Sequence, residues 1–306
     1  MIPDPRGTVF LGTARFAVPV LEALAGSAFR PSLVLTRLDS RSGRGLRETS
    51  SPVAAAASAL GLRVARIASA GDPIELEGSP VLAVSAAFGL WLPAKFLAMF
   101  PGGVLNVHPS LLPRHRGPCP VERAILEGDR ETGVSFMLTD SGWDTGPVIR
   151  SIVTPVSRSE DSGELSARLS GMAAREIQGV IAGYLDGSLR PVPQSGEATH
   201  AAKLTDQEAE LDWSKPAESI SRTVRAFAPS PGARTRFRGR LLKILSVRVS
   251  ERPLVPGRLA VEGSLLSAGC LDSSVEILRL QPESRNAMDA AAFMAGYRPS
   301  SGESLV

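Results

Sequence analysis

Over residues 1–187 the hydrophobic and polar positions follow two rhythms in alternation. Short apolar, β-rich runs (TVFLG at 8–12, PSLVLTR at 31–37, VLAVSA at 81–86, GVLNVH at 103–108) alternate with segments of helical spacing. The helical segments are FAVPVLEALAG at 16–26, SPVAAAASALGL at 51–62 and PVERAILEG at 120–128. Strand, helix and strand in repetition predict βαβ units on a mostly parallel, Rossmann-like sheet. A long helical pattern at 163–187 closes this part of the chain, and the Pro, Ser and Gly content of SLRPVPQSGEATHAAKL at 188–204 suggests a linker. After one more helical pattern at 216–227 the rhythm shortens to strands broken by Gly and Pro turns, which predicts a small, OB-like β-barrel. The expected organisation is an α/β domain at 1–189, a linker at 190–205 and a β-barrel domain at 206–306.

Composition adds limits to this picture. A chain of 306 residues is long enough for about two domains. Its 34 Lys plus Arg stand against 31 Asp plus Glu, so a nucleic-acid partner cannot be argued from total charge. Cys119 and Cys270 are the only cysteines, too few for a disulfide framework or a thiolate zinc site, which fits a reducing cytosol. No signal-peptide pattern or bilayer-length apolar run is present, so the expectation is a cytoplasmic protein with no membrane partner and no metal.

The common nucleotide fingerprints are missing. Gly12-Thr13-Ala14-Arg15 follows the first strand without completing G-x-G-x-x-G, and there is no P-loop, H-E-x-x-H or G-x-S-x-G. In open α/β sheets ligands bind beyond the carboxyl ends of strands, and GVLNVHPSLLP puts Asn106 and His108 at such an end. Two apart on an extended segment, their side chains point to the same side. An amide NH₂ and an imidazolium are both donors suited to an oxygen that becomes an oxyanion. Spacing alone fits a satisfied polar pair at a strand end as well. The loop DSGWDTGPVI at 140–149 brings Asp144, a carboxylate able to fix a histidine's protonation state and relay a proton, or simply a turn former.

The run LNVHPSLLPRHRGPCPVERAILEGDRETGVSFMLTDSGWDTGPVI at 105–149 resembles the folate-dependent formyltransferase family: Asn-x-His-x-Ser-Leu-Leu-Pro, then Arg-Gly, then Asp-x-Gly-x-Asp-Thr-Gly. The resemblance implies catalytic roles for Asn106, His108 and Asp144, and a folate pocket lined by Ser110, Leu111, Leu112 and Pro113. Further stretches at 9–24, 43–62, 201–217, 225–233 and 280–296 are similar to the branch of the family that formylates methionyl-tRNA. That branch implies 10-formyltetrahydrofolate as the formyl-donor substrate and initiator Met-tRNA as the acceptor partner; a monomer is expected. His115, Leu46, Arg47, Ala228 and Ser230 depart from the branch's usual residues, which bears on tRNA contacts rather than on chemistry.

Basic residues cluster. Ten Lys or Arg fall within 222–258 against Glu251 alone. In RTRFRGR, Arg234, Arg236, Arg238 and Arg240 alternate and would lie along one strand face, either as a solvated face or as a phosphate-tracking stripe. A second cluster comprises Arg37, Arg41, Arg44 and Arg47, and the resemblance places Arg44 at the acceptor end of the tRNA. His115 reads as a surface residue, solvated or in contact with phosphate, and His200 as a loop residue. Two rival functions remain at this level: an enzyme that hydrolyses the formyl donor or formylates a small amine, and a non-catalytic RNA-binding protein.

Overall fold

The computed structural model describes residues 7–42 and 47–306. In chain order the elements of the α/β part are β1 (Thr8–Gly12), α1 (Val18–Ala25), β2 (Pro31–Arg37), β3 (Ser40–Ser42), β4 (Arg47–Thr49), α2 (Pro52–Ala59), β5 (Val64–Ile67), β6 (Leu82–Ala86), α3 (Ala94–Leu97), β7 (Val104–His108), α4 (Pro120–Glu127), β8 (Glu131–Leu138), β9 (Val148–Pro155) and α5 (Ser162–Leu185). Seven of these strands form one sheet in the order β5-β2-β1-β6-β7-β8-β9. The strands from β5 to β7 run parallel, whereas β8 and β9 add antiparallel.

Burial explains the composition of the strands. Every residue of β1 and of β6 is buried, as expected of central parallel strands covered on both faces, and this is why they read as unbroken apolar runs. The edge strand β9 mixes exposed and buried positions. Helix α2 starts on Ser51, whose Oγ accepts from the Ala54 amide at 3.0 Å, with Pro52 as its first residue, so a capping side chain and a preset φ act together. Helix α5 buries Leu165, Leu169, Ala173, Ile177, Val180 and Ile181 at helical spacing. No helix among the described residues is long and apolar enough to cross a membrane.

The order of the strands reverses between β1 and β6: the chain leaves β1 towards β2 and β5, then returns to β6 on the other side. A crevice at the carboxyl ends of these strands is the expected ligand position in such a sheet. There the Thr13 and Ala14 amides donate to the Ala87 carbonyl at 3.2 and 3.3 Å, and Thr13 Oγ1 donates to the Phe88 carbonyl at 2.8 Å, which ties together the loops after β1 and β6.

The chain forms two compact units. The first contains residues 1–120, 131–155 and 166–201; the second contains 202–306 together with 121–130 and 156–165. In the second unit α6 (Ala217–Phe227) is followed by β10 (Ala233–Phe237), β11 (Arg240–Ser250), β12 (Leu259–Glu262), β13 (Leu265–Gly269), β14 (Ser274–Pro282), β15 (Met288–Asp289) and α7 (Ala290–Tyr297). The sheet runs β10-β11-β14-β13-β12, with β15 on β14. Residues 302–306 join its two edges: Val306 exchanges backbone hydrogen bonds with Arg236 of β10 at 2.6 and 3.1 Å, Leu259 of β12 donates to Glu303 at 2.8 Å, and Leu305 donates to Gly257 at 2.7 Å. Both edges are thereby paired into a barrel, which removes exposed strand edges. Within it, buried Trp213 donates its indole N–H to Thr235 Oγ1 at 3.0 Å.

The four-arginine stripe is not one strand face. Phe237 pairs with Arg240 across a two-residue hairpin turn whose members, Arg238 and Gly239, have φ of +50° and +76°. Positive φ at both positions matches the right-handed twist of the flanking strands, so the chain reverses where simple alternation expected it to continue. Arg234 is ion-paired with Asp206. Arg238 pairs with Glu303 at 2.7 Å and donates to the Tyr297 carbonyl at 3.0 Å. Arg236 and Arg240 are exposed and have no ion-pair partner among the described residues. Arg44 and Leu46 lie outside the described residues.

Candidate active site

Strand β7 carries Asn106 and His108 to its carboxyl end, on the same side, opposite Met137 and Ser135 of β8. The Asp144 carboxylate comes to them from the loop between β8 and β9. Its Oδ1 lies 3.4 Å from Asn106 Nδ2 and its Oδ2 lies 3.6 Å from His108 Nδ1. Oδ2 also accepts the Gly117 amide at 2.9 Å. The other ring nitrogen of His108, Nε2, stands 2.9 Å from the His115 carbonyl oxygen. Both imidazole nitrogens thus face acceptors, a placement that the doubly protonated ring satisfies in full.

The two aspartates of the 140–149 loop have separate tasks. Asp140 Oδ1 accepts from the Gly142 amide at 2.9 Å and from Thr145 Oγ1 at 2.7 Å, folding the loop on itself. Asp144 is thereby left to face the sheet; its side chain is 18% exposed and that of His108 is 5% exposed. Asp144 and His115 are both non-glycine residues in the left-handed region, at φ +52° and +56°, a conformation that persists only where surroundings hold it. Gly117 needs to be glycine twice over: its φ is +114°, and a Cβ there would lie 2.9 Å from the His200 ring and 3.0 Å from the Ala201 carbonyl.

The Ser-Leu-Leu-Pro turn is built inward as much as outward. Ser110 is fully buried and donates its hydroxyl to the Arg114 carbonyl at 2.7 Å, and Pro113 is buried; Leu111 and Leu112 are the half-buried members. Ser135 of β8 holds the turn by donating to the Ser110 carbonyl at 2.8 Å and accepting the Leu112 amide at 3.1 Å. Since its one proton goes to Ser110, the neighbouring Ser151 hydroxyl at 3.2 Å is the donor of that pair.

Sequence reasoning placed His115 on the surface, and the structure corrects this: only 2% of the residue is exposed, with its carbonyl turned to His108 and its amide donating to Thr199 Oγ1 at 2.8 Å. It also missed Ser135, which sits in an apolar strand with no local signal. Missed too were Trp91 and Trp143, whose rings are 5.2 Å apart at centroids and which remain 46% and 62% exposed. Trp143 is the residue before Asp144 in the chain, and the pair is an exposed aromatic patch.

The formyl transferase family model matches residues 7–181, and that of the formyl transferase C-terminal domain matches 203–298. The chain belongs to the formyl transferase family. Among relatives of this formyl transferase, the methionyl-tRNA formyltransferase of Ruegeria pomeroyi is 37% identical over 307 residues, covering 97% of this chain and 99% of the relative. That of Thermus thermophilus is 40% identical over 303 residues, covering 97% and 98%. Among solved structures, the N-formyltransferase of Helicobacter canadensis in complex with folinic acid and dTDP-3-aminofucose has a TM-score of 0.67 at 16% identity, covering 90% of this chain and 99% of that one, a likeness of fold. This formyl transferase keeps Asn106, His108 and Asp144 together at the carboxyl edge of its sheet.

Proposed function

We propose that the chain transfers the formyl group of 10-formyltetrahydrofolate to the α-amine of methionine esterified to initiator tRNA, with Asn106, His108 and Asp144 as its catalytic residues. The observation that carries the chemistry is the Asp144 carboxylate set within reach of both Asn106 and His108. The choice of substrates rests on relatives named methionyl-tRNA formyltransferase that match nearly the whole length of the chain, second unit included.

In this reading the amine attacks the formyl carbon, a C–N bond forms to methionine and the C–N10 bond of the folate breaks. Negative charge gathers on the formyl oxygen during attack. The hydrogen of Asn106 Nδ2 that is not directed at Asp144 stabilises it, and one such donor is worth about 3 kcal/mol of barrier; the His108 ring, whose nitrogens face Asp144 and the His115 carbonyl, acts on it through its charge and by holding the site in place. Asp144 holds the His108 ring, takes the ammonium proton through water and returns it by the same water to N10 as the C–N10 bond breaks, so the carboxylate ends the step as it began. Leu111 and Leu112, and the Trp91–Trp143 pair, offer apolar surface to the planar folate. Residues 1–189 act as the catalytic domain and 206–306 as the tRNA-binding domain, where Arg236 and Arg240 keep their charges unpaired for phosphate and Arg44 serves the acceptor end. The two thiols suit a reducing, cytoplasmic setting.

The test is to mix labelled 10-formyltetrahydrofolate with enzyme and charged Met-tRNA, uncharged tRNA, or water alone. Label on the methionyl amine is the expected result. Label released as formate at the same rate in all three would replace this reading with a hydrolase.

A further inference from the structure

Gln194 lies fifty residues after Asp144 in the chain, in the segment whose composition suggests a linker, yet it belongs to the same compact unit as the site. Its amide is used completely. Oε1 accepts from Arg116 Nε at 3.0 Å and Arg116 Nη2 at 2.6 Å. Nε2 donates to the carbonyls of Asp144 and Gly146, both at 2.8 Å. The orientation of the amide follows from this network, because a flipped amide would set its oxygen against two carbonyls and its NH₂ against a guanidinium.

The bonds go where the backbone most needs holding. Asp144 sits at φ +52°, and its own carbonyl and that of Gly146 are the two atoms Gln194 grips. The same segment holds the other left-handed residue of the site: Thr199 Oγ1 accepts the His115 amide at 2.8 Å, the Thr199 carbonyl accepts the Arg116 amide at 2.9 Å, and the Ala201 amide donates to Arg116 at 2.6 Å. His115 in turn offers the carbonyl that faces His108 Nε2. The Arg116 charge on Oε1 polarises the amide and strengthens its donors toward the Asp144 loop.

We propose that Gln194 is a positioning residue of formyl transfer, which fixes the Asp144 carboxylate against Asn106 and His108 by tying the backbone of the Asp144 loop to Arg116. The inference rests on the reading of Asp144 as catalytic. Gln194→Met fills a similar volume and deletes all four hydrogen bonds; Gln194→Glu keeps an acceptor for Arg116 but turns an oxygen toward two carbonyls. Both variants are expected to lose about 10- to 100-fold in kcat, the scale of a displacement near 1 Å at a reacting group, with the KM for the folate donor nearly unchanged. A second readout needs no turnover: ¹⁵N NMR of the His108 ring in the full chain, one of three histidines, should show an Nδ1 signal, the nitrogen that faces Asp144, that shifts and broadens in Gln194→Met. A purely structural role would lower the melting temperature while the folded enzyme kept wild-type kcat. Wild-type kcat per folded molecule in both variants, or an unaltered His108 ring signal, overturns the proposal. If wild type forms no formyl-methionyl-tRNA, the proposed substrates are wrong, while the ring signal still decides whether Gln194 orders the site.

Discussion

Asp144→Asn is the most informative single perturbation of the site. The substitution preserves volume and leaves one carbonyl oxygen for the Gly117 amide, now 2.9 Å from Oδ2. With that oxygen at the Oδ2 position, which also faces His108 Nδ1 at 3.6 Å, the NH₂ takes the Oδ1 position and is set against another donor, Asn106 Nδ2, at 3.4 Å. The lost attraction is sizeable: two unit charges 3.6 Å apart interact by about 5 kcal/mol at an effective dielectric of about 20. Water reaches the carboxylate, whose side chain is 18% exposed, so about 3 to 4 kcal/mol of barrier is the usable part. At about 1.4 kcal/mol for each factor of ten, single-turnover transfer of labelled formyl to Met-tRNA should slow by about 100- to 1000-fold. A folate analogue should still raise the melting temperature of the variant, since the Ser110–Pro113 turn is held by Ser135 and not by Asp144. A rate within about threefold of wild type would refute the catalytic assignment of this carboxylate.

If the exposed arginines meet phosphate, Arg236→Ser with Arg240→Ser should lessen the slope of log affinity for Met-tRNA against log salt by about two units, while Arg234→Ser, already paired with Asp206, changes it less. Equal slopes for wild type and the double variant would leave these two as solvated charges. The hydrogen bond from Arg123 to Glu208, at 2.5 Å, holds that carboxyl at about 2, below its ordinary 4.5, so its stabilisation is present above pH 4.5 and is lost as pH falls through 2. Because the Glu208 side chain is 37% exposed, Glu208→Gln should cost only about 1 kcal/mol in urea unfolding at pH 7 and less at pH 3.5; a cost that grows on acidification contradicts this. Burial, with the Asp272 carboxylate beside it, pushes the Cys270 thiol up to about 12, so alkylation at pH 8 followed by mass spectrometry should leave Cys270 unmodified until denaturant is added.

Much of this protein was determined by its sequence alone, for reasons local to the chain. The period-2 and helical rhythms gave the α/β sheet and the barrel, because burial of a strand or helix face imposes that spacing wherever the element ends up. Asn106 and His108 were legible as a pair because two residues apart on any strand point the same way. Other features required the tertiary structure. The arginine alternation in RTRFRGR broke at Arg238 and Gly239 because a twisted barrel needs a hairpin turn there, and partners as distant as Asp206 and Glu303 decide which charges stay free. His115 is buried, and its backbone carbonyl faces His108, an arrangement that no composition reveals. Segment 190–201 has the residues of a linker, rich in Pro, Gly and polar side chains, and the same polar groups serve to brace two loops once the fold sets unpaired backbone carbonyls and amides beside them. What a polar side chain does depends on which backbone groups the fold leaves unpaired at its side, and those are brought together only by contacts far apart in sequence.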